Sequence, residues 1–355
     1  MRAWRLHKHG GPDAQRFEDG VPVPDPASGE VLIKVAAAGL NNTDINTRVG
    51  WYSKSVQRDT ADAARQDTDA APDDGAWTGQ PLDFPRIQGA DCCGHIVAVG
   101  DGVDASRVGE RILVRALQRA GPRGSDPDVT YTFGSECDGA FAEYALARSF
   151  DALRVNAAWS DTELASLPCA YSTAEAMLQR ANVGAEKVLI TGASGGVGSA
   201  AVQLAQRRGA RVSAVTGANK EEALRAVGAD ATLSRDSPYG TNAFDVLVDL
   251  VAGPRFQDLI TALAPGGRYV TSGAIAGPIV SLDVRDLYLK DLTMLGSTLQ
   301  SDTIFTDLIA IVEAGEISPL VSAVYPFEAL QKAQEAFLEK SHVGKIVLDV
   351  AGSPS

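Results

Sequence analysis

Gly192, Gly195, Gly196 and Gly198 fall within one short run, and no other stretch of the chain is better suited to chemistry. They follow the apolar run 188–190 and precede Ala200, Ala201, Val202, Leu204 and Ala205, the small apolar face of a helix. Strand, glycine turn and helix, in that order, is the context a dinucleotide fingerprint needs. Gly192 and Gly195 allow a tight turn and a close backbone approach to a pyrophosphate, and Gly198 lets the helix pack on the strand. The unpaired N–H groups of the first helical turn carry partial positive charge and favour an anion. Run 191–198, with Ser194 and Val197 between the glycines, is therefore expected to hold a dinucleotide.

The next strand, 211–215, is where such a unit chooses its cofactor. An Asp or Glu about 20 residues beyond the glycines bonds the ribose 2′-hydroxyl of NAD. This chain reads Val215-Thr216-Gly217-Ala218-Asn219-Lys220, with no acid at the strand end. Thr216 and Asn219 can donate hydrogen bonds, Lys220 supplies a charge for a 2′-phosphate, and Arg235 adds another. The expectation is NADP(H), although Lys220 also suits the solvated first turn of a helix.

The elements that position these residues are spread over 355 residues, enough for two domains. With 45% apolar and 22% charged residues, the composition is that of a globular enzyme. A net charge of −13 argues against nucleic acid and anionic membranes as partners. No leader sequence or membrane-length apolar run is read. Cys92, Cys93, Cys137 and Cys169 form no C-x-x-C pair, which suggests a reducing, cytoplasmic setting.

Segments 1–6 and 31–37 read as strands around a proline-rich connection, 21–29. Segment 38–52 reads as a polar, turn-rich stretch, and 53–82 as a long, solvated acidic loop without chemistry of its own. Short strands between glycines over 87–114 suggest a β-barrel-like domain; a loop at 119–134 and a strand at 139–147 follow. Ser160 and Glu163 have capping-box spacing, residues 168–171 interrupt the helix they start, and 173–181 resume it. From 187 onward, strands at 188–190, 212–215, 246–250, 267–272 and 293–298 alternate with helices, the pattern of a doubly wound parallel sheet. Helix 302–314, strand 317–324, helix 329–338 and strand 345–350 belong with the first domain.

Through 38–52, 89–100, 167–174, 191–198, 266–273 and 344–350, the chain resembles the medium-chain dehydrogenase/reductase superfamily over nearly its whole length. The resemblance implies an α/β protein. A GroES-like β-barrel catalytic domain would span 1–155 and 301–355, and a Rossmann NADP-binding domain 156–300. It also implies a homodimer joined through edge strand 293–298. Zinc-dependent members carry G-I-C-x-T-D-x-H and G-H-E; here the runs are Gly39-Leu40-Asn41-Asn42-Thr43-Asp44-Ile45-Asn46 and Gly89-Ala90-Asp91. Asn41 and Ala90 replace two zinc ligands, and only Cys169 matches the third. A catalytic zinc needs three protein ligands, so no metal is expected. The loop equivalent to the family's structural zinc lobe holds only Cys137.

Zinc-free relatives are closer in pattern. The 2-enoyl thioester reductases carry N-P-S-D-I-N followed by G-x-Y; here Asn41 to Asn46 are followed by Gly50-Trp51-Tyr52, with Asn42 in place of the proline. The resemblance puts Tyr52 near the acceptor carbonyl with Asn41 supporting it or the nicotinamide ribose. It puts Thr173, Ser272, Gly273 and Ala274 beside the nicotinamide half of the cofactor. Lys345 either approaches the cofactor or is solvated at a strand start.

Without a Lewis acid, oxidising a plain alcohol is hard, whereas hydride addition to a quinone or an electron-poor alkene needs mainly orientation and polarisation. The expected function is a zinc-independent, NADPH-dependent reductase of quinones or α,β-unsaturated carbonyl compounds, with Tyr52 as hydrogen-bond or proton donor. The alternatives are a zinc-free alcohol or aldehyde oxidoreductase and a non-catalytic NADPH-binding protein.

Overall fold

The computed structural model describes residues 1–65, 74–119 and 130–352. Strands Ala231–Ser234, Arg211–Thr216, Lys187–Ile190, Phe244–Asp249, Leu263–Thr271 and Thr293–Gly296 lie side by side in that order, all parallel. A parallel sheet covered on both faces needs continuous apolar strands, and Val188, Leu189, Ile190, Val246, Leu247 and Val248 are all fully buried. The strand order reverses beside Lys187–Ile190, where a doubly wound sheet opens a crevice at its carboxyl ends. Helix Gly196–Arg207 starts at that point and packs on helix Pro168–Arg180.

A second sheet is built around Glu30–Gly39. This strand pairs antiparallel with Cys93–Val99, Tyr144–Arg148 and Lys345–Asp349. The last of these pairs parallel with Val321–Pro326. The end of the chain thus returns to the sheet its beginning started, and Val31, Ile33, Ile346 and Leu348 share one core.

Four expectations need correction. Segment 38–52 contains the helix Asn42–Val49, started by Asp44, whose carboxylate accepts from Asn41 N–H at 2.8 Å and Ala90 N–H at 3.1 Å. Residues 168–171 do not interrupt a helix. Pro168 is the first residue of Pro168–Arg180, the one turn where its missing N–H costs nothing. Within 53–82 lies a short helix, Thr60–Arg65, with Thr60, Ala63 and Ala64 buried; part of that loop, 66–73, falls outside the described residues. In the 119–134 stretch, Thr130–Thr132 pairs with Leu117–Arg119, and 120–129 falls outside the described residues. The Ser160–Glu163 capping box forms as its spacing requires.

Candidate active site

The glycine turn has the shape its sequence demands. Gly192 has φ of 58°. A Cβ on Gly198 would come within 2.2 Å of Gly192 O, and one on Gly196 within 2.6 Å of Lys345 Cδ. Ser194 is buried, and its carbonyl accepts from Gly344 N–H at 2.9 Å, tying the turn to the C-terminal segment. A Cβ on Gly195 would meet Gly192 O at 3.5 Å, an ordinary contact, so the start of the helix, which Val197 follows, is not crowded there. This is the turn geometry that the dinucleotide fingerprint requires.

Asp249, which sequence reasoning missed, fixes the floor of the crevice. Thr191 Oγ1 donates to it at 2.5 Å and Tyr269 Oη at 2.7 Å, and Val251 N–H adds a bond at 3.0 Å. The available signal was an acid directly after the apolar run 246–248. Ser272, Gly273 and Ala274 follow the neighbouring strand, and a Cβ on Gly273 would lie 3.3 Å from Leu250 O.

A cavity of about 360 Å³ opens beyond Arg211–Thr216, lined by Thr216, Asn219, Lys220, Arg235, Lys340 and Ser341 among others. The first four were expected to gather here. The last two come from the C-terminal return, which local sequence could not reveal. Lys220 Nζ donates to the Lys340 carbonyl and, at 3.5 Å, to Ser194 Oγ. Lys340 Nζ donates to Asn42 Oδ1 at 3.0 Å. Burial, with repulsion from Lys220, pushes Lys340 down to about 7. Burial and then Arg235 lower Lys220 as well. Burial and the neighbouring lysines push His342 down to about 4. Asp236 is the one carboxylate among the lining residues, against three cationic side chains. Of these three, Lys220 is buried, Lys340 half-buried and Arg235 exposed.

Tyr52 follows the helix Asn42–Val49 and folds back on its first turn. Its hydroxyl donates to Thr43 Oγ1 at 2.9 Å, and burial pushes it up to about 12, so it remains a donor at neutral pH. Cys169 lies on the first turn of Pro168–Arg180, with its thiol hydrogen-bonded to Thr173 one turn on. Burial, then Asp91, pushes this thiol up to about 12.

Asn41 does not meet Tyr52. Its Nδ2 donates to Asp91 Oδ2 at 2.8 Å, and its Oδ1 accepts from Lys345 Nζ at 2.5 Å. Thr43 fills the supporting position the sequence assigned to Asn41. The Lys345 ammonium also reaches Leu40 O at 2.6 Å and Asp91 Oδ2 at 2.8 Å. Lys345 is therefore neither solvated nor free to point at a cofactor: its stem lies against Gly196 and its charge is buried. Asp91 Oδ1 accepts from Cys169 N–H at 2.6 Å, closing the network. Asp44 sits next to it, pushed up to about 7 by burial and held partly in check by the Asn41 amide.

These residues do not fit a catalytic zinc. Asn41 spends both ends of its amide on Lys345 and Asp91, and Ala90 offers no donor. No group of three His, Cys, Asp or Glu among the described residues could share an ion.

Comparison with known proteins agrees with this architecture. An alcohol dehydrogenase GroES-like domain matches residues 27–157, and a zinc-binding dehydrogenase domain matches 223–348. A quinone oxidoreductase of Lama guanicoe is 30% identical, covering 98% of this chain and 97% of its own. An acryloyl-coenzyme A reductase of Metallosphaera sedula is 29% identical, covering 92% and 93%. A provisionally named alcohol dehydrogenase from Sinorhizobium meliloti 1021 superposes with a TM-score of 0.86 at 43% identity, covering 98% of this chain and 96% of that one. A dinucleotide cradle facing a GroES-like domain defines a nicotinamide-dependent oxidoreductase. This chain belongs to the medium-chain dehydrogenase/reductase superfamily.

Proposed function

We propose that this oxidoreductase is a zinc-independent, NADPH-dependent reductase of quinones or α,β-unsaturated carbonyl compounds. The observation that carries the reading is the Lys345 ammonium, bonded to Asn41, where zinc-dependent relatives present a metal ligand, and to Asp91, next to the second such position at Ala90. With that donor set, Lewis-acid activation of an alcohol has no support, and hydride addition to an electron-poor acceptor remains. The names of the Lama and Metallosphaera relatives favour the same chemistry.

When bound, NADPH supplies the hydride. The side chains around Lys220, Arg235 and Lys340 bind its 2′-phosphate, and the 192–198 turn holds the diphosphate. Tyr52, protonated, turns its hydroxyl hydrogen from Thr43 Oγ1 to the acceptor oxygen on which negative charge grows, and the Thr43 hydroxyl then donates to Tyr52 Oη. A preorganised donor of that kind contributes about 3 kcal/mol to the transition state. Because Tyr52 is a weak acid, we assign it to hydrogen bonding, with solvent supplying the proton to the product.

The protein acts as a homodimer on this reading. Ile279, Val284, Tyr288, Leu289 and Met294 leave a run of exposed apolar side chains beside the edge strand Thr293–Gly296. A run of this kind beside an open sheet edge fits a second copy of the chain. No helix among the described residues is long and apolar enough to cross a membrane.

The test is NADPH consumption by chelator-treated protein with an ortho-quinone and a small enone. Turnover at the untreated rate supports the reading. Turnover that appears only when zinc is restored sinks it.

A further inference from the structure

The segment after Tyr52 ties the Tyr52 loop to the Rossmann domain. At one end, Trp51 Nε1 donates to Arg58 O at 2.9 Å, and the Trp51 ring stands edge-on to Tyr52 with centroids 5.9 Å apart. At the other end, Thr60 N–H donates 3.3 Å to Ile275 O. Ile275 directly follows Ser272-Gly273-Ala274, the loop expected at the nicotinamide. Between these ties the segment is packed. Thr60 is 2% exposed, and Ala63 and Ala64 share a core with Ile45 and Val49 of the helix that carries Thr43. Thr60 Oγ1 is buried without a hydrogen-bond partner.

Residues 58–65 thus join the Tyr52 side of the catalytic domain to the loop expected beside the nicotinamide, the two sides between which the reductase reading seats the acceptor. On the reductase reading, a compact acceptor leaves this connection in place. One that carries a long substituent out past Tyr52 must part Thr60 from Ile275 and uncover Thr60, Ala63 and Ala64. Uncovering packed side chains and orphaning a backbone carbonyl both cost free energy, and that cost falls only on the longer substrate. The reacting group itself is unaffected, so the discrimination is by size and not by chemistry.

We propose that residues 58–65 form an acceptor-selecting bridge that restricts this enzyme to compact quinones and enones and discriminates against acceptors with a long tail. The proposal rests on the reductase reading and specifies its substrate class. Thr60 and Trp51 are positioning residues here; neither is assigned a part in hydride or proton transfer.

Two substrates with one electrophile isolate the tail: the crotonyl thioester of N-acetylcysteamine and crotonyl-coenzyme A. The variants are Thr60→Pro and Trp51→Phe. Proline is tolerated at a first helical position, so Thr60→Pro removes the N–H to Ile275 and keeps the helix. Trp51→Phe keeps an aromatic ring and removes the bond to Arg58. The parent should prefer the short thioester by at least tenfold in kcat/KM, and each variant should lower that preference at least threefold. Affinity for the unreactive butyryl thioesters of both kinds, read from quenching of bound NADPH fluorescence, should follow the same ratio. A parent that accepts both thioesters equally, a preference unchanged in both variants with native circular dichroism, or binding of neither butyryl thioester overturns the bridge. Size-selective binding relieved by Thr60→Pro, without turnover of any thioester or quinone, upholds the bridge and overturns the reductase reading.

Discussion

Replacing Lys345 by Met would remove the one positive charge from a buried network. Lys345 and Asp91 are 2% and 0% exposed at their side chains, with 2.8 Å between Nζ and Oδ2. Taking away one partner of such a pair leaves an uncompensated charge in a low dielectric, at a cost of about 3–5 kcal/mol. The low end applies here, because Asp91 keeps two donors, Asn41 Nδ2 and Cys169 N–H. Met keeps most of the stem that lies against Gly196, so a cavity adds little. The expected loss is about 3 kcal/mol, read from urea unfolding at unchanged m-value. Asp91→Asn in the Lys345→Met background removes the orphaned charge and should recover about 1–2 kcal/mol as a coupling energy. A loss under about 1 kcal/mol, or strict additivity of the two substitutions, would refute a charged pair at this position.

Lys220→Ala with Arg235→Ala should lower kcat/KM for NADPH by about a hundredfold and leave NADH within about threefold, since charge-assisted bonds contribute about 1.5–3 kcal/mol each; equal losses with both cofactors would contradict a 2′-phosphate site. Lys340, held down near 7, carries a proton below that pH and loses it above. Because the phosphate favours the charged form, the NADPH dissociation constant should rise between pH 6 and 8, and Lys340→Met should flatten the profile. Tyr52→Phe should cut kcat by about 10²–10³ with NADPH affinity unchanged, as expected for loss of one oxyanion donor; unaltered turnover would reduce Tyr52 to a pocket lining.

The Rossmann sheet was legible in sequence because its central strands are buried on both faces and its glycines have one physical use. Gly192 at positive φ and Gly198 against Gly192 O are what the spacing required. The helix Asn42–Val49 was hidden. Its Asn, Thr and Asp residues read as turn formers, and the Ala90 amide that helps Asp44 hold its start lies far along the chain. Lys345 and Lys340 were out of reach for a similar reason: each meets residues hundreds of positions earlier, Asn41 and Asn42 respectively. Asn41 departs from the zinc pattern in the sequence itself. Its partners could not be read from spacing, since both ends of its amide are satisfied across a fold that closes only when the last strand returns.

The most direct test of the central claim is the initial rate of NADPH oxidation with an ortho-quinone, measured on protein whose zinc content has been verified as negligible, before and after one equivalent of zinc. The account predicts full turnover without metal and no gain on its addition. Activity that needs zinc, or that appears with a simple alcohol and NADP only when zinc is present, would contradict it.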